Sequence, residues 1–244
     1  MLPLRSVLDM PYSRFSEALR GVKNSVDSAF PANATAVIGV TSVGPGEGKT
    51  TIAANLAQLY MNEGTSVLLV DADFVGSRLS RVTTEDGAGF GMESLRILGI
   101  AGQYSRRRSE APQHVEEFDG KAVRCVPVLT VDQTRKAAVA HQRYGHLPAL
   151  KSELELLRPR YKVIIVDMSG FEDSADTRVI CTYLDGIVVV LGQSDKMTVE
   201  RLGEALATFG KSRVALLGVI SNRSDGPRRT NIRWDRKQWR KFRK

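Results

Sequence analysis

The stretch TSVGPGEGKTT, residues 41–51, decides how the rest of the chain is read. Gly44, Pro45, Gly46, Glu47 and Gly48 form a glycine-bearing turn in which the backbone can curl and aim successive N–H groups at one point. That arrangement suits phosphate oxygens. Lys49 adds a charge fit for the β and γ phosphates of a nucleotide, and the Thr50 hydroxyl suits Mg²⁺. The strict pattern asks for glycine six positions before the lysine, where this chain has Val43. The surroundings supply what the bare pattern lacks. TAVIGVT (35–41) is a β-branched apolar run, read as a strand buried on both faces, and KTTIAANLAQLYMNEG (49–64) reads as a helix stopped by Gly64. Residues 44–51, through Thr51, are therefore the candidate nucleotide cradle.

Outward from the loop, the pattern repeats. SVLLVDAD (66–73), VRCVPVL (123–129), KVIIVD (162–167), GIVVVL (186–191) and VALLGVI (214–220) read as further strands. Helices are expected from Ser13 to about Val26, near 147–157, near 174–183 and over 198–209. Strands alternating with helices predict an α/β fold, a three-layer P-loop NTPase with a mainly parallel sheet flanked by helices. Ligands of such sheets bind at the carboxyl ends of the strands. There lie Asp71 and Asp73 on one strand and Asp167 on another, oxygen ligands and a candidate base for Mg²⁺-dependent phosphoryl transfer. Lys49, Asp71, Asp73 and Asp167 are the candidate catalytic residues, and Thr50, Asp71 and Asp167 the candidate metal ligands.

Charge divides the 244 residues into a neutral body and a basic tail. Residues 228–244 carry nine Lys/Arg against Asp235, which equals the chain's net charge of +8. Both tryptophans, Trp234 and Trp239, lie in that tail. Basic residues interleaved with aromatics suit an anionic membrane surface or, alternatively, nucleic acid or a plain solubilising tail. The organisation read from this is a linker (1–11), a P-loop ATP-binding domain (12–223) and a basic aromatic tail (224–244). No apolar run approaches a membrane span, and no signal peptide is expected. Cys125 and Cys181 read as reduced core thiols, and His114, His141 and His146 show no metal-ligand spacing with them.

TSVGPGEGKTT, VLLVDAD and KVIIVD, in that order, resemble the bacterial tyrosine kinases, the cytoplasmic ATPase domains of polysaccharide co-polymerases within the MinD/ParA-type P-loop proteins. The opening VLDMPYSRFSEALR is similar to rhizobial-type exopolysaccharide transport proteins. The resemblance implies ATP and Mg²⁺ as cofactors and a ring or dimer whose contact uses Glu17, Arg20 and Lys23. It also implies adenine held near Asn222 and Arg223, and a fused or separate transmembrane chain-length-determining module. The location implied is the cytoplasmic side of the inner membrane. Three departures stand out. Gly44 replaces the early lysine of MinD and ParA loops, DMSG (167–170) stands where the family has DxPP, and no tyrosine follows Tyr183 to serve as a tail acceptor. ATPase or kinase-like phosphoryl transfer in exopolysaccharide export is the leading expectation. A ParA/MinD-like positioning switch and a nucleotide-binding scaffold without turnover are the alternatives.

Overall fold

The computed structural model describes residues 12–31, 33–76, 79, 114–118, 121–126, 128–129, 145–192, 200–204, 207 and 214–222. Arg223, the linker 1–11 and the tail 224–244 lie outside them, as do His141 and the RRR run at 106–108.

Helix α1 (Arg14–Ala29) starts at Ser13, whose hydroxyl accepts the Ser16 N–H at 3.2 Å, the N-cap expected from sequence. It buries Leu19, Val22 and Val26. Strand β1 (Ala36–Ser42) is buried throughout. Helix α2 (Lys49–Asn62) ends with Gly64 at φ +80, a left-handed turn that glycine enters without a Cβ penalty. Then follow β2 (Val67–Ala72), β3 (His114–Phe118), β4 (Lys121–Cys125), β5 (Val128–Leu129), α3 (His146–Leu157), β6 (Val163–Met168), α4 (Asp176–Cys181), β7 (Gly186–Leu191) and β8 (Ala215–Ser221). Residues 200–204 are also helical.

Six strands form one parallel sheet in the order β5-β2-β6-β1-β7-β8. Alternation along each strand feeds two cores. Ile38, Val40, Leu69 and Val188 face α1 and α2, while Val37, Leu68, Ile164 and Val189 face α3 and α4. The three layers match the expectation. One reading needs correction: 123–129 is not a single strand. Its first part pairs antiparallel with β3 as a hairpin, and Val128–Leu129 joins the main sheet beside β2. The break falls where the sequence has Pro127, which has no N–H to donate to a ladder.

Among the described residues no helix is long and apolar enough to cross a membrane. Cys181 is buried and free, its thiol pushed up to about 12 by burial, and so is inert packing.

The lower end of the sheet is held by Asp185. Its carboxylate accepts the Val37 N–H at 2.8 Å and the Arg158 guanidinium at 2.9 Å. Asp185→Ala removes the acceptor of a backbone donor at the start of β1. It is expected to destabilise the domain by about 1–3 kcal/mol in chemical denaturation.

Candidate functional site

β1 delivers the chain to the loop at residues 43–48, between strands whose connections leave in opposite directions. From β1 the chain crosses to β2 on one side, and from β6 it crosses to β7 on the other. The crevice between β1 and β6 is thus the topological switch point, where doubly wound sheets bind ligands.

The loop is braced from within. The Glu47 carboxylate accepts the Val43 N–H at 3.1 Å, and Ser42 Oγ donates to the Gly44 carbonyl at 2.6 Å. Gly46 and Gly48 take φ of +73 and +99, conformations open to glycine and strained for other residues. Gly48 is also the N-cap of α2, so the helix's free N–H groups and positive end open onto the loop. From the far edge, the Asn222 amide donates to the Glu47 carbonyl at 2.8 Å, and its N–H donates to Leu191 at 2.7 Å. A Cβ on Gly48 would run into that amide. Gly48→Ala is expected to push Asn222 off the loop and weaken nucleotide affinity at least about tenfold, by the strain of a positive φ alone, as read by equilibrium binding.

The aspartates meet beneath the loop because of register. Asp71 and Asp167 are direct neighbours on β2 and β6, and both are fully buried on the sheet face covered by α2. Adjacent strands stand about 4.8 Å apart, so the two carboxylates repel at short range. Neither oxygen of Asp167 has a hydrogen-bond partner of good geometry. Burial first, and the Asp71 charge second, push the Asp167 carboxyl well above the usual carboxylate range; the nearby Thr50 hydroxyl and Lys49 pull the other way. Asp73 sits at the rim, where its Oδ1 accepts Ser169 Oγ at 2.6 Å and the Gly76 N–H at 2.8 Å. Lys49, largely buried, faces Asp173 across 3.8 Å.

Of the residues singled out from sequence, 44–51, Asp71, Asp73, Asp167 and Asn222 gather at this end of the sheet. Arg223 lies outside the described residues. Glu17 and Arg20 pair on the outer side of α1 at 3.8 Å. Lys23 stands apart from them, for its ammonium is bound at 2.7 Å to both Asp27 and Glu63 and lies over the Tyr60 ring. Two contributors went unnamed in the sequence reading. Asp173 accepts the Gly170 N–H at 3.1 Å and faces Lys49, and Ser169 ties β6 to Asp73. The signal for both was the polar turn directly after a strand-end aspartate.

A pair of buried carboxylates with two unpartnered oxygens, next to a threonine hydroxyl, is a donor set that fits a hard divalent cation. Among the described residues no three His, Cys, Asp or Glu side chains cluster to cage a metal alone. The remaining ligands of such an ion would have to be phosphate and water, which is the usual habit of Mg²⁺.

A phosphate-cradling loop opening a helix at the switch point of a parallel sheet defines a nucleotide-binding domain of the P-loop kind. The chain belongs to the CobQ/CobB/MinD/ParA nucleotide binding domain family, whose model matches residues 38–236. Within it, the chain's relatives are bacterial tyrosine kinases and exopolysaccharide transport proteins. Tyrosine-protein kinase YwqD of Bacillus subtilis is 30% identical over 232 residues, covering 89% of this chain and 86% of YwqD. Succinoglycan biosynthesis transport protein ExoP of Rhizobium meliloti is 28% identical over 237 residues, covering 91% of this chain. The chain spans only 26% of the length of ExoP. The fold is that of the kinase domain of Escherichia coli tyrosine kinase ETK, with TM-score 0.59 at 16% identity over 88% of this chain and 78% of that one.

Proposed function

We propose that this chain binds Mg·ATP and transfers or releases its γ-phosphoryl group as the nucleotide-driven part of an exopolysaccharide polymerisation and export machine. The observation that carries the reading is Asp167, a fully buried carboxylate with two unpartnered oxygens beside Lys49 and Thr50. Such a group is costly to keep unless a cation completes it. Mg²⁺ held by Thr50 and Asp167, with Asp71 beside them, would neutralise charge on the phosphates. The loop amides of 44–51 hold phosphate oxygens, and Lys49 exchanges Asp173 for them. Asp71 serves as base or metal partner, and Asp73, anchored by Ser169, orders the rim. Asn222 and Arg223 border the base.

Assembly is part of the reading. Glu17 and Arg20 offer an outer face of α1 to a second copy in a ring or dimer, with Lys23 as internal support. The tail 228–244 lies on the inner face of the cytoplasmic membrane, near a transmembrane module that is fused or separate. A family that includes MinD and ParA also favours a second reading, an ATP switch that positions a cargo. Gly44 in place of that group's lysine weighs against it. The deciding experiment supplies Mg²⁺ and γ-labelled ATP to the purified protein and follows free phosphate and protein-bound label. Magnesium-dependent product of either kind supports the proposal. Bound ATP with neither product makes the chain a scaffold, and salt-sensitive DNA binding makes it a ParA-like switch.

A further inference from the structure

A phosphoryl acceptor needs a phenol that is free of its own fold and able to enter a site. Among the described tyrosines three fail this test. Tyr60 is buried, its hydroxyl donates to Asp27 at 2.9 Å, and burial together with that carboxylate raises its pKa far above the ordinary phenol value. Tyr161 is buried in the core beneath α3. Tyr183 packs against the same core with the Lys151 ammonium over its ring, and burial pushes its pKa up. Tyr12 is different, being 93% exposed directly before the Ser13 cap of α1.

Its place in the fold matters as much as its exposure. α1 ends at Ala29 shortly before β1 begins, so its last turn lies at the amino end of the sheet and its first turn at the carboxyl end. The junction of Lys23 with Glu63, and of Tyr60 with Asp27, ties α1 alongside α2. At about 1.5 Å per residue, the starts of both helices lie roughly 16 Å back from that junction. Tyr12 therefore stands at the same end of the domain as the phosphate loop, just ahead of the helix that carries the exposed Glu17–Arg20 face.

From this we infer that Tyr12 is a phosphorylation site of the chain's own nucleotide chemistry, an acceptor at the start of α1. The inference rests on the phosphoryl-transfer reading above. In the step, Tyr12 Oη attacks the γ-phosphorus of ATP and an O–P bond forms. The bond from γ-phosphorus to the β,γ-bridging oxygen breaks, and ADP leaves with that electron pair. The phenolic proton passes to a strand-end carboxylate, Asp71, and then to water. An aryl phosphate adds close to two negative charges beside Arg14 and the positive end of α1.

The test incubates wild type and Tyr12→Phe with Mg²⁺ and γ-labelled ATP, measures free phosphate and protein label, and maps the label by mass spectrometry. Tyr12 makes no core contact, so the variant is expected to fold as wild type does. The expected result is at least a tenfold loss of label in Tyr12→Phe, with the sum of free phosphate and label within twofold of wild type. Label of undiminished amount mapping to another residue, Tyr104 or Tyr144 included, overturns the Tyr12 site and leaves the phosphoryl-transfer reading standing. Free phosphate without label in wild type does the same. Neither product from wild type overturns both.

Discussion

Lys49→Met is expected to fold normally and to lose at least about 100-fold of its ATP turnover, the scale of removing one preorganised charge from a phosphoryl-transfer site. The substitution is nearly volume-conserving, and among the described residues the ion pair it breaks is a long one, 3.8 Å to Asp173. Little folding energy is therefore at stake. What disappears is the charge that would meet the β and γ phosphates, while Asp71, Asp73, Asp167 and Asp173 all remain. Without its lysine the site keeps its carboxylates and loses the cation that offsets them, which disfavours the triphosphate. Phosphate release and thermal melting, measured on the same preparation, separate the two effects. Turnover equal to wild type with an unchanged melt would mean the site is wrongly assigned.

Asp167→Asn is expected to move stability and function in opposite directions. The folded state raises the pKa of Asp167, so its ionised form at neutral pH opposes folding. That cost grows as pH rises through the folded pKa and vanishes as pH falls to the usual carboxylate range. Asparagine carries no charge, and its NH₂ can donate to Asp71, its neighbour on β2. The metal-free variant should gain about 1–3 kcal/mol, equivalent to roughly 2–10 °C in melting temperature for a chain of this size. The gain should shrink as the solution is acidified. Added Mg²⁺ and ATP should stabilise wild type and hardly affect the variant, because the unpartnered oxygens are what a cation would complete. A variant that melts lower than wild type without metal would sink this account of Asp167.

Much of this was legible in the chain itself. Continuous apolar runs, two of them ending in aspartate, placed five strands of the sheet, and Ser13 and Gly64 marked helix ends through local chemistry that needs no tertiary partner. The phosphate loop was readable despite Val43 because its strand and helix flanks are themselves sequence patterns. The hairpin β3–β4 was not, since HVEEF and KAVRC are short and lack a strong periodicity. Its continuation into β5 was misread because apolar character runs across Pro127 even though hydrogen bonding does not. At the site, the pairing of Asp71 with Asp167 followed from two similar strand ends, but their register did not. Asp173 reaches Lys49 only through the turn after β6, where Phe171 and Glu172 donate to the carbonyls of Ser42 and Val43. No spacing rule in the sequence encodes that fold-back. Lys23 shows the same limit from the other side. Helical periodicity puts it in line with Glu17 and Arg20, and only the packed structure reveals that its ammonium is tied to Glu63 at the end of α2.

That last attachment has a mechanical consequence. Lys23, Asp27, Tyr60 and Glu63 bolt the lower halves of two helices together, so α1 cannot slide without dragging α2. One end of α2 is this bolt and the other is the phosphate loop. In the assembly proposed above, a load applied by a neighbour at Glu17 and Arg20 would be transmitted along α2 to Gly48 and Lys49, and a shift of the loop on changing nucleotide would be returned to the outer surface by the same linkage.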